Sequence, residues 1–141
     1  DRLSKRVAHV LPAQLPPTKV ASLKEEAIRR LVFMKRQLKG STKPVMRQGD
    51  YDRMVEAIGS FVTSRRVEPI EPPIQTNLKA TELRYTFYLV WKYCWEKDIE
   101  RDKVVDFLKA TFSQFSEVER ETIKKKFSEK VTGYSYIMVV K

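Results

Sequence analysis

The sequence predicts an all-α fold, a bundle of four to five helices with an extended basic N-terminal arm and a short extended apolar C-terminal tail. Apolar residues recur at helical spacing through most of the chain, and two Ser-x-x-Glu pairs have the pattern of helix capping boxes. The 141 residues are 42% hydrophobic and 33% charged, which is typical of one globular domain. The longest apolar stretch, 85–95, is interrupted by Lys92 and falls short of the roughly 20 residues that cross a bilayer, so we expect no membrane insertion.

Residues 1–21 are interpreted as the arm, and residues 22–141 as the helical domain. Two sets of side chains in the arm would lie on separate faces of a short amphipathic helix. The apolar set is Leu3, Val7, Val10 and Leu11, and the basic set is Arg2, Lys5, Arg6 and His9. Three prolines, Pro12, Pro16 and Pro17, predict an extended connection to the domain.

The first helix of the domain is predicted from a capping box at Ser22 and Glu25 to a stop at Gly40. One face is apolar and the far side is basic. The apolar positions are Leu23, Ala27, Leu31, Met34 and Leu38, and the basic ones are Lys24, Arg29, Lys35, Arg36 and Lys39. Such a helix can pack inward along one stripe and present cations on the other side.

A second helix is predicted from Asp50 to about Ser64, with an apolar repeat that begins at Tyr51. The proline-rich segment 68–73 is interpreted as a stiff crossover inside one domain. A third helix, from Asn77 or Thr81 to about Lys97, is apolar on most sides. It is therefore predicted either to be the central element of the bundle or to face both a core and a neighbouring subunit.

A fourth helix is predicted from Asp102 to Phe112, and a fifth from the second capping box, Ser116 and Glu119, to about Lys130. The tail, 134–140, is apolar and β-branched, so it is either an edge strand or a tether to another chain. The predicted self-association residues are Tyr134, Tyr136, Ile137 and Val139.

Charge is distributed unevenly along the chain. Residues 1–66 hold 15 Lys and Arg against 6 Asp and Glu, whereas residues 67–141 hold 13 against 12. Like charges repel one another, and a polyanionic partner is the usual reason to keep them together. The predicted phosphate contacts are Arg2, Lys5, Arg6, His9, Lys19, Arg29, Arg30, Arg36, Lys39, Lys43 and Arg47. By contrast, the basic run 124–126 is offset by nearby glutamates and is interpreted as a solvated face.

The residues that carry chemistry do not favour an enzyme, and we expect no cofactor. One Cys and one His cannot make a zinc site, and Cys94 lies among aromatic residues as a core thiol would. The acidic run from Asp98 to Asp106 is interrupted by Arg101 and Lys103, so helix capping and solvation are favoured over a metal site. The aromatic residues sit mostly at core spacing, which favours readout of nucleic-acid backbone and shape over sequence.

The basic, proline-punctuated arm (2–17), the basic helix (22–40) and the bundle with its apolar central helix (81–127) resemble the major coat proteins of filamentous archaeal viruses. In that family, paired helical subunits wrap linear double-stranded DNA and hold it in the A form. The resemblance implies that the arm and first helix surround the duplex, and that the other helices and the tail join subunits of this chain or of a paralogous coat protein. It also implies a location in the virion.

The expected function is therefore that of a structural, sequence-independent nucleic-acid-packaging protein, with double-stranded DNA favoured and RNA possible. One alternative is a helical subunit of a ribonucleoprotein complex, similar to the small subunits of CRISPR effector complexes. Another is a non-enzymatic adaptor whose arm docks on an acidic protein partner. Either alternative implies a cytoplasmic location.

Overall fold

The structure, a computed structural model, describes residues 16–131 and residue 140. Within that part of the chain five α-helices are present, and no β-strand is. The helices are α1 (Pro17–Leu31), α2 (Gln48–Ser64), α3 (Ala80–Val90), α4 (Arg101–Thr111) and α5 (Arg120–Lys126). Shorter turns are the 3₁₀ turns Val32–Lys35 and Ser113–Phe115 and the π-helical turn Trp91–Trp95. The all-α prediction is confirmed.

Helix α1 begins six residues earlier than the sequence pattern predicts. Pro16 occupies the N-cap and Pro17 the first helical position, where a missing N–H costs nothing. Val20 packs against the core, which draws these residues into the helix. Ser22 lies inside the helix and its hydroxyl donates to Glu26 Oε1 (3.4 Å), so the predicted Ser22–Glu25 capping box is wrong. The boundary predicted between residues 21 and 22 therefore falls within α1.

The end of α1 also differs from the prediction, because the chain leaves the helix at Leu31 and not at Gly40. After the 3₁₀ turn it folds back on itself through an antiparallel bridge between Gln37 and Pro44. Gly40, with φ of 76°, lies in the reversal rather than at a helix C-terminus. The reversal places Val45 in the core with 0% exposure, which a continuous helix to residue 40 would not do.

Helix α2 begins at Gln48 and ends at Ser64, and its predicted apolar face is buried. Asp50, predicted as the N-cap, lies instead in the first turn, where it pairs with Arg53 (3.3 Å). Arg65 then adopts a left-handed conformation with φ of 61°, which ends the helix. Its side chain donates to the carbonyl oxygens of Val62 (3.2 Å) and Asp98 (2.7 Å).

The proline-rich crossover runs along the end of α4. The N–H of Ile70 donates to Ala110 O (3.0 Å), and the N–H of Ile74 donates to Thr111 O (2.8 Å). Ile74 is itself completely buried. The segment therefore connects two parts of one hydrophobic core, as predicted.

Helix α3 and the π-helical turn that continues it form the centre of the bundle. Phe87 and Trp95 are completely buried, and Phe61 from α2 lies 5.8 Å from Trp95 and 4.9 Å from Phe107, between ring centroids. At the N-terminus of α3, Glu82 Oε1 accepts from the N–H of Lys79 (2.9 Å). Leu83, Phe87 and Val90 form a buried apolar face of this helix.

Helix α5 is shorter than predicted. Its N-cap is Glu119, and it ends at Lys126 rather than near residue 130. Ser116 precedes it and donates its hydroxyl to Ser113 O (2.9 Å) within a 3₁₀ turn, so the second predicted capping box is wrong as well. Burial of Phe115 holds that turn in place and leaves Ser116 at the surface.

Val140 forms an antiparallel bridge with Leu38 and is 5% exposed. Two predicted sets lie outside the described residues. They are the self-association residues Tyr134, Tyr136, Ile137 and Val139, and residues 1–15 of the arm. At Val140 the chain therefore returns to the reversal that follows α1.

Candidate nucleic-acid interface

A basic segment of the sequence lies at the surface of the protein. Residues 27–49, called the basic stretch below, contain seven Lys and Arg and no Asp or Glu. Every one of these seven side chains is exposed. They are Arg29, Arg30, Lys35, Arg36, Lys39, Lys43 and Arg47. The stretch runs from the last turns of α1 to the N-cap of α2.

The chain reversal carries four of these cations on its two paired segments and the residues beside them. We call residues 36–47 the basic hairpin. In it, the N–H of Leu38 donates to Lys43 O and the N–H of Val45 donates to Arg36 O, both at 2.8 Å. Because neighbouring strands lie about 4.8 Å apart, this pairing places Arg36 and Lys43 on adjacent chain segments. Lys39 precedes the turn glycine, and Arg47 follows two residues after Val45.

The basic hairpin is anchored to the rest of the fold. Asn77 donates its backbone N–H to Val45 O (2.7 Å) and its side-chain amide to Pro44 O (2.8 Å). The Thr76 hydroxyl also donates to Val45 O (3.2 Å). These bonds hold the second segment of the basic hairpin, at Pro44 and Val45, against the residues that precede α3. The cations of the hairpin are therefore carried by an anchored segment.

The cations of the basic stretch have no ion pair in the described part of the chain. None of the seven has a carboxylate within ion-pairing distance among the described residues. Near α5, by contrast, Arg120 contacts Asp102 and Asp106, and Lys124 lies 3.1 Å from Asp102. What distinguishes the basic stretch is that seven exposed cations follow one another without an acidic residue between them.

The predicted phosphate contacts fall into three groups. Five are exposed in the basic stretch without an ion pair in the described part: Arg29, Arg36, Lys39, Lys43 and Arg47. Two are engaged by other side chains, since Lys19 pairs with Asp98 (3.2 Å) and Arg30 lies over the ring of Tyr93 (5.0 Å to the centroid). The remaining four, Arg2, Lys5, Arg6 and His9, lie outside the described residues.

Tyr93 is a surface residue that the sequence interpretation did not single out. It is 65% exposed, whereas the other aromatic residues of the central helix are buried or half-buried. The sequence does contain a signal, since Tyr93 lies midway between Trp91 and Trp95. At about 100° per residue, two tryptophans four residues apart share one face and the residue between them points away.

Cys94 is a half-buried thiol that packs against the core. Burial raises its pKa above the ordinary value, while the positive charge of Arg30 acts in the opposite direction. A raised pKa keeps the sulfur protonated and weakly nucleophilic at neutral pH. This environment is the one expected for a packing residue.

A groove of about 370 Å³ lies between α2, the crossover and α4. Phe61 and Phe107 form part of its floor, and its rim carries both signs of charge, with Arg53 and Arg66 beside Glu56 and Glu68. Its mixed rim makes it a poor site for a polyanion. Among the described residues no group of three or more His, Cys, Asp or Glu is placed to hold a metal ion, and no helix is long and apolar enough to span a membrane.

Comparison with protein-family models, with curated proteins and with solved structures finds no match for this chain. The functional interpretation therefore depends on the charge, exposure and contacts of the basic stretch.

Proposed function

We propose that the protein is a structural nucleic-acid-packaging protein that binds phosphates without reading sequence and assembles with further copies of itself. Double-stranded DNA is the favoured ligand, as in the coat proteins that the chain resembles. The basic stretch and the arm supply the contacts, and no cofactor is required. The observation that carries the proposal is the unneutralised basic stretch, seven exposed cations over 23 residues without one carboxylate.

The charge of these side chains and their lack of carboxylate partners favour binding to phosphate. An exposed cation with no internal partner keeps its full attraction for an external anion, whereas one already paired must first lose that partner. Each phosphate neutralised on DNA releases condensed counterions, which makes the affinity depend on salt. With about six phosphate contacts per subunit, the logarithm of the association constant falls with the logarithm of the salt concentration with a slope of about −5.

The first test reverses charge within the basic stretch. Arg29→Glu combined with Arg36→Glu removes two phosphate contacts, so the salt slope on duplex DNA is expected to change from about −5 to about −3. Affinity at low salt falls accordingly. Fluorescence anisotropy with a labelled duplex across a salt series measures both quantities, and circular dichroism with thermal melting checks that the fold is retained.

A matched control changes the same charge elsewhere. Lys125→Glu combined with Lys126→Glu alters two exposed residues of α5 and gives the same net charge as the first variant. We expect this pair to leave the slope near that of the unmodified protein. Equal losses in the two variants would mean that net charge, and not the basic stretch, governs binding.

Assembly separates packaging from the two alternative functions. Electron microscopy of the protein with long duplex DNA is expected to show regular, extended assemblies on any sequence. Small complexes that prefer RNA would favour the ribonucleoprotein subunit. Absence of salt-sensitive binding to either DNA or RNA at about 50 mM salt would overturn the proposal and leave the adaptor.

A further inference from the structure

The surface around Tyr93 combines features that do not serve the core. Among the described residues, two large apolar side chains are strongly exposed, Val32 at 48% and Tyr93 at 65%. Val32 comes two residues after Arg30, whose guanidinium lies over the Tyr93 ring. The exposed ring is therefore in contact with a cation at the end of α1.

The orientation of Tyr93 is fixed by its neighbours. The indole N–H of Trp95 donates to Leu23 O (3.0 Å), and that of Trp91 donates to Ile99 O (2.8 Å). Both tryptophans are held on the inner side of the central helix by these bonds. The intervening tyrosine is therefore presented outward by a rigid element, and burial does not explain its aromatic ring.

The ring of Tyr93 is in contact with an arginine side chain. The guanidinium of Arg30 lies 5.0 Å from the ring centroid. Arg29, the preceding residue of α1, is also exposed. The carboxylate of Glu26, one turn before Arg30, accepts from the Ser22 hydroxyl.

We propose that Tyr93 is a stacking platform for an unpaired nucleobase, so that single-stranded nucleic acid is a second ligand of the surface formed by Arg29, Arg30 and Tyr93. The inference rests on the proposed nucleic-acid binding and adds a ligand class to it. Every base has a π-face, so stacking on tyrosine requires no particular sequence. Arg30 covers one face of the ring by a cation–π contact, and the base takes the other. A duplex keeps its base faces stacked internally and gains nothing from Tyr93.

Substitution of the ring tests the proposal. Tyr93→Leu keeps an apolar side chain and removes the π-face, and it is expected to weaken binding of an oligothymidine about five- to 100-fold. Affinity for a duplex of the same length stays within about twofold of the unmodified value. Tyr93→Phe is the control, since it keeps the ring and is expected to bind both ligands as the unmodified protein does. An oligonucleotide containing 2-aminopurine should lose fluorescence on binding to the unmodified protein and to Tyr93→Phe, and less so to Tyr93→Leu.

The possible outcomes distinguish this inference from the proposed function. Loss of single-strand affinity in Tyr93→Leu alone supports it. Unchanged single-strand affinity, or equal loss on duplex and single strand, overturns the stacking site and leaves the packaging function standing. A change in multimer size without a change in single-strand affinity assigns Tyr93 to a protein contact and also overturns it. Failure of the unmodified protein to bind any nucleic acid removes both proposals together.

Discussion

Tyr51 shows how one buried polar side chain couples the fold to pH. Its ring is 6% exposed and lies 5.5 Å from the ammonium of Lys35. Burial, with a smaller contribution from Asp52, raises the pKa of its phenol above the ordinary value near 10. The unfolded chain therefore releases this proton at a lower pH than the folded chain. Folding stability falls as pH rises from about 10 toward the folded pKa.

Tyr51→Phe removes this titration. We expect the unmodified protein to lose more free energy of unfolding between about pH 9 and pH 11 than the variant, because only its folded state resists ionisation of the phenol. Urea denaturation at a series of pH values measures the difference, and Tyr93→Phe, which alters an exposed tyrosine, serves as the control. Parallel stability curves for Tyr51→Phe and the unmodified protein would contradict the expectation.

For individual residues, the sequence pattern predicted which side chains are buried better than it predicted which groups the charged side chains contact. The apolar positions Leu23, Ala27 and Leu31 are buried as their spacing required. Lys19 and Arg30 were assigned to phosphate, and in the structure they contact Asp98 and Tyr93. Those contacts join residues more than 60 positions apart, and helical periodicity carries no information about side chains on different helices.

The helices themselves and the ends of α4 were predictable, whereas both ends of α1 and of α5 were not. Both Ser-x-x-Glu pairs satisfy the capping pattern, but tertiary burial decides where each helix begins. Packing of Val20 extends α1 backward to Pro17, and burial of Phe115 holds Ser116 in a 3₁₀ turn. The chain reversal after Leu31 was missed for a related reason, because the helical repeat continues through Met34 and Leu38 although the backbone does not.

The connection between α1 and the central helix gives a prediction at the scale of elements. The indole N–H of Trp95 is buried and donates to Leu23 O, which bonds two helices 72 residues apart. Trp95→Phe removes this buried hydrogen bond and part of a completely buried ring, so the free energy of unfolding should fall by about 1–3 kcal/mol. Urea denaturation followed by circular dichroism measures the loss.

Trp91 offers the comparison. Its indole is half-buried and donates to Ile99 O, only eight residues away, so Trp91→Phe should cost about 1 kcal/mol or less. A larger loss in Trp91→Phe than in Trp95→Phe would mean that the bond between α1 and the central helix contributes less than the local one.

For the whole molecule, net charge and its distribution could be read directly from the sequence, whereas the shape of the charged surface could not. The sequence places Arg36 and Lys43 seven residues apart on or beyond one helix. In the structure, hydrogen bonds between Arg36 and Val45 and between Leu38 and Lys43 make them neighbours. A two-stranded reversal of this kind depends on burial of Val45 and on support from Asn77, both tertiary contacts.

The C-terminal tail gives the last prediction, because a tether to another chain and a strap within one chain have different consequences. Val140 is buried against Leu38 of the same chain. Val140→Ala removes two buried side-chain carbon atoms, so the free energy of unfolding should fall by about 1–2 kcal/mol. For a contact within one chain this loss is the same at low and high protein concentration.

Urea denaturation at two protein concentrations, with sedimentation velocity on the same samples, separates the two arrangements. Val32→Ala is the matched control, since it makes the same change at a side chain that is 48% exposed and should alter stability little. If Val140 contacts a second copy, Val140→Ala will instead shrink the assemblies, and its effect on stability will grow with protein concentration. Smaller assemblies with unchanged monomer stability would thus contradict a contact within one chain. They would favour a contact between chains, which is one of the two arrangements that the apolar sequence of the tail predicts.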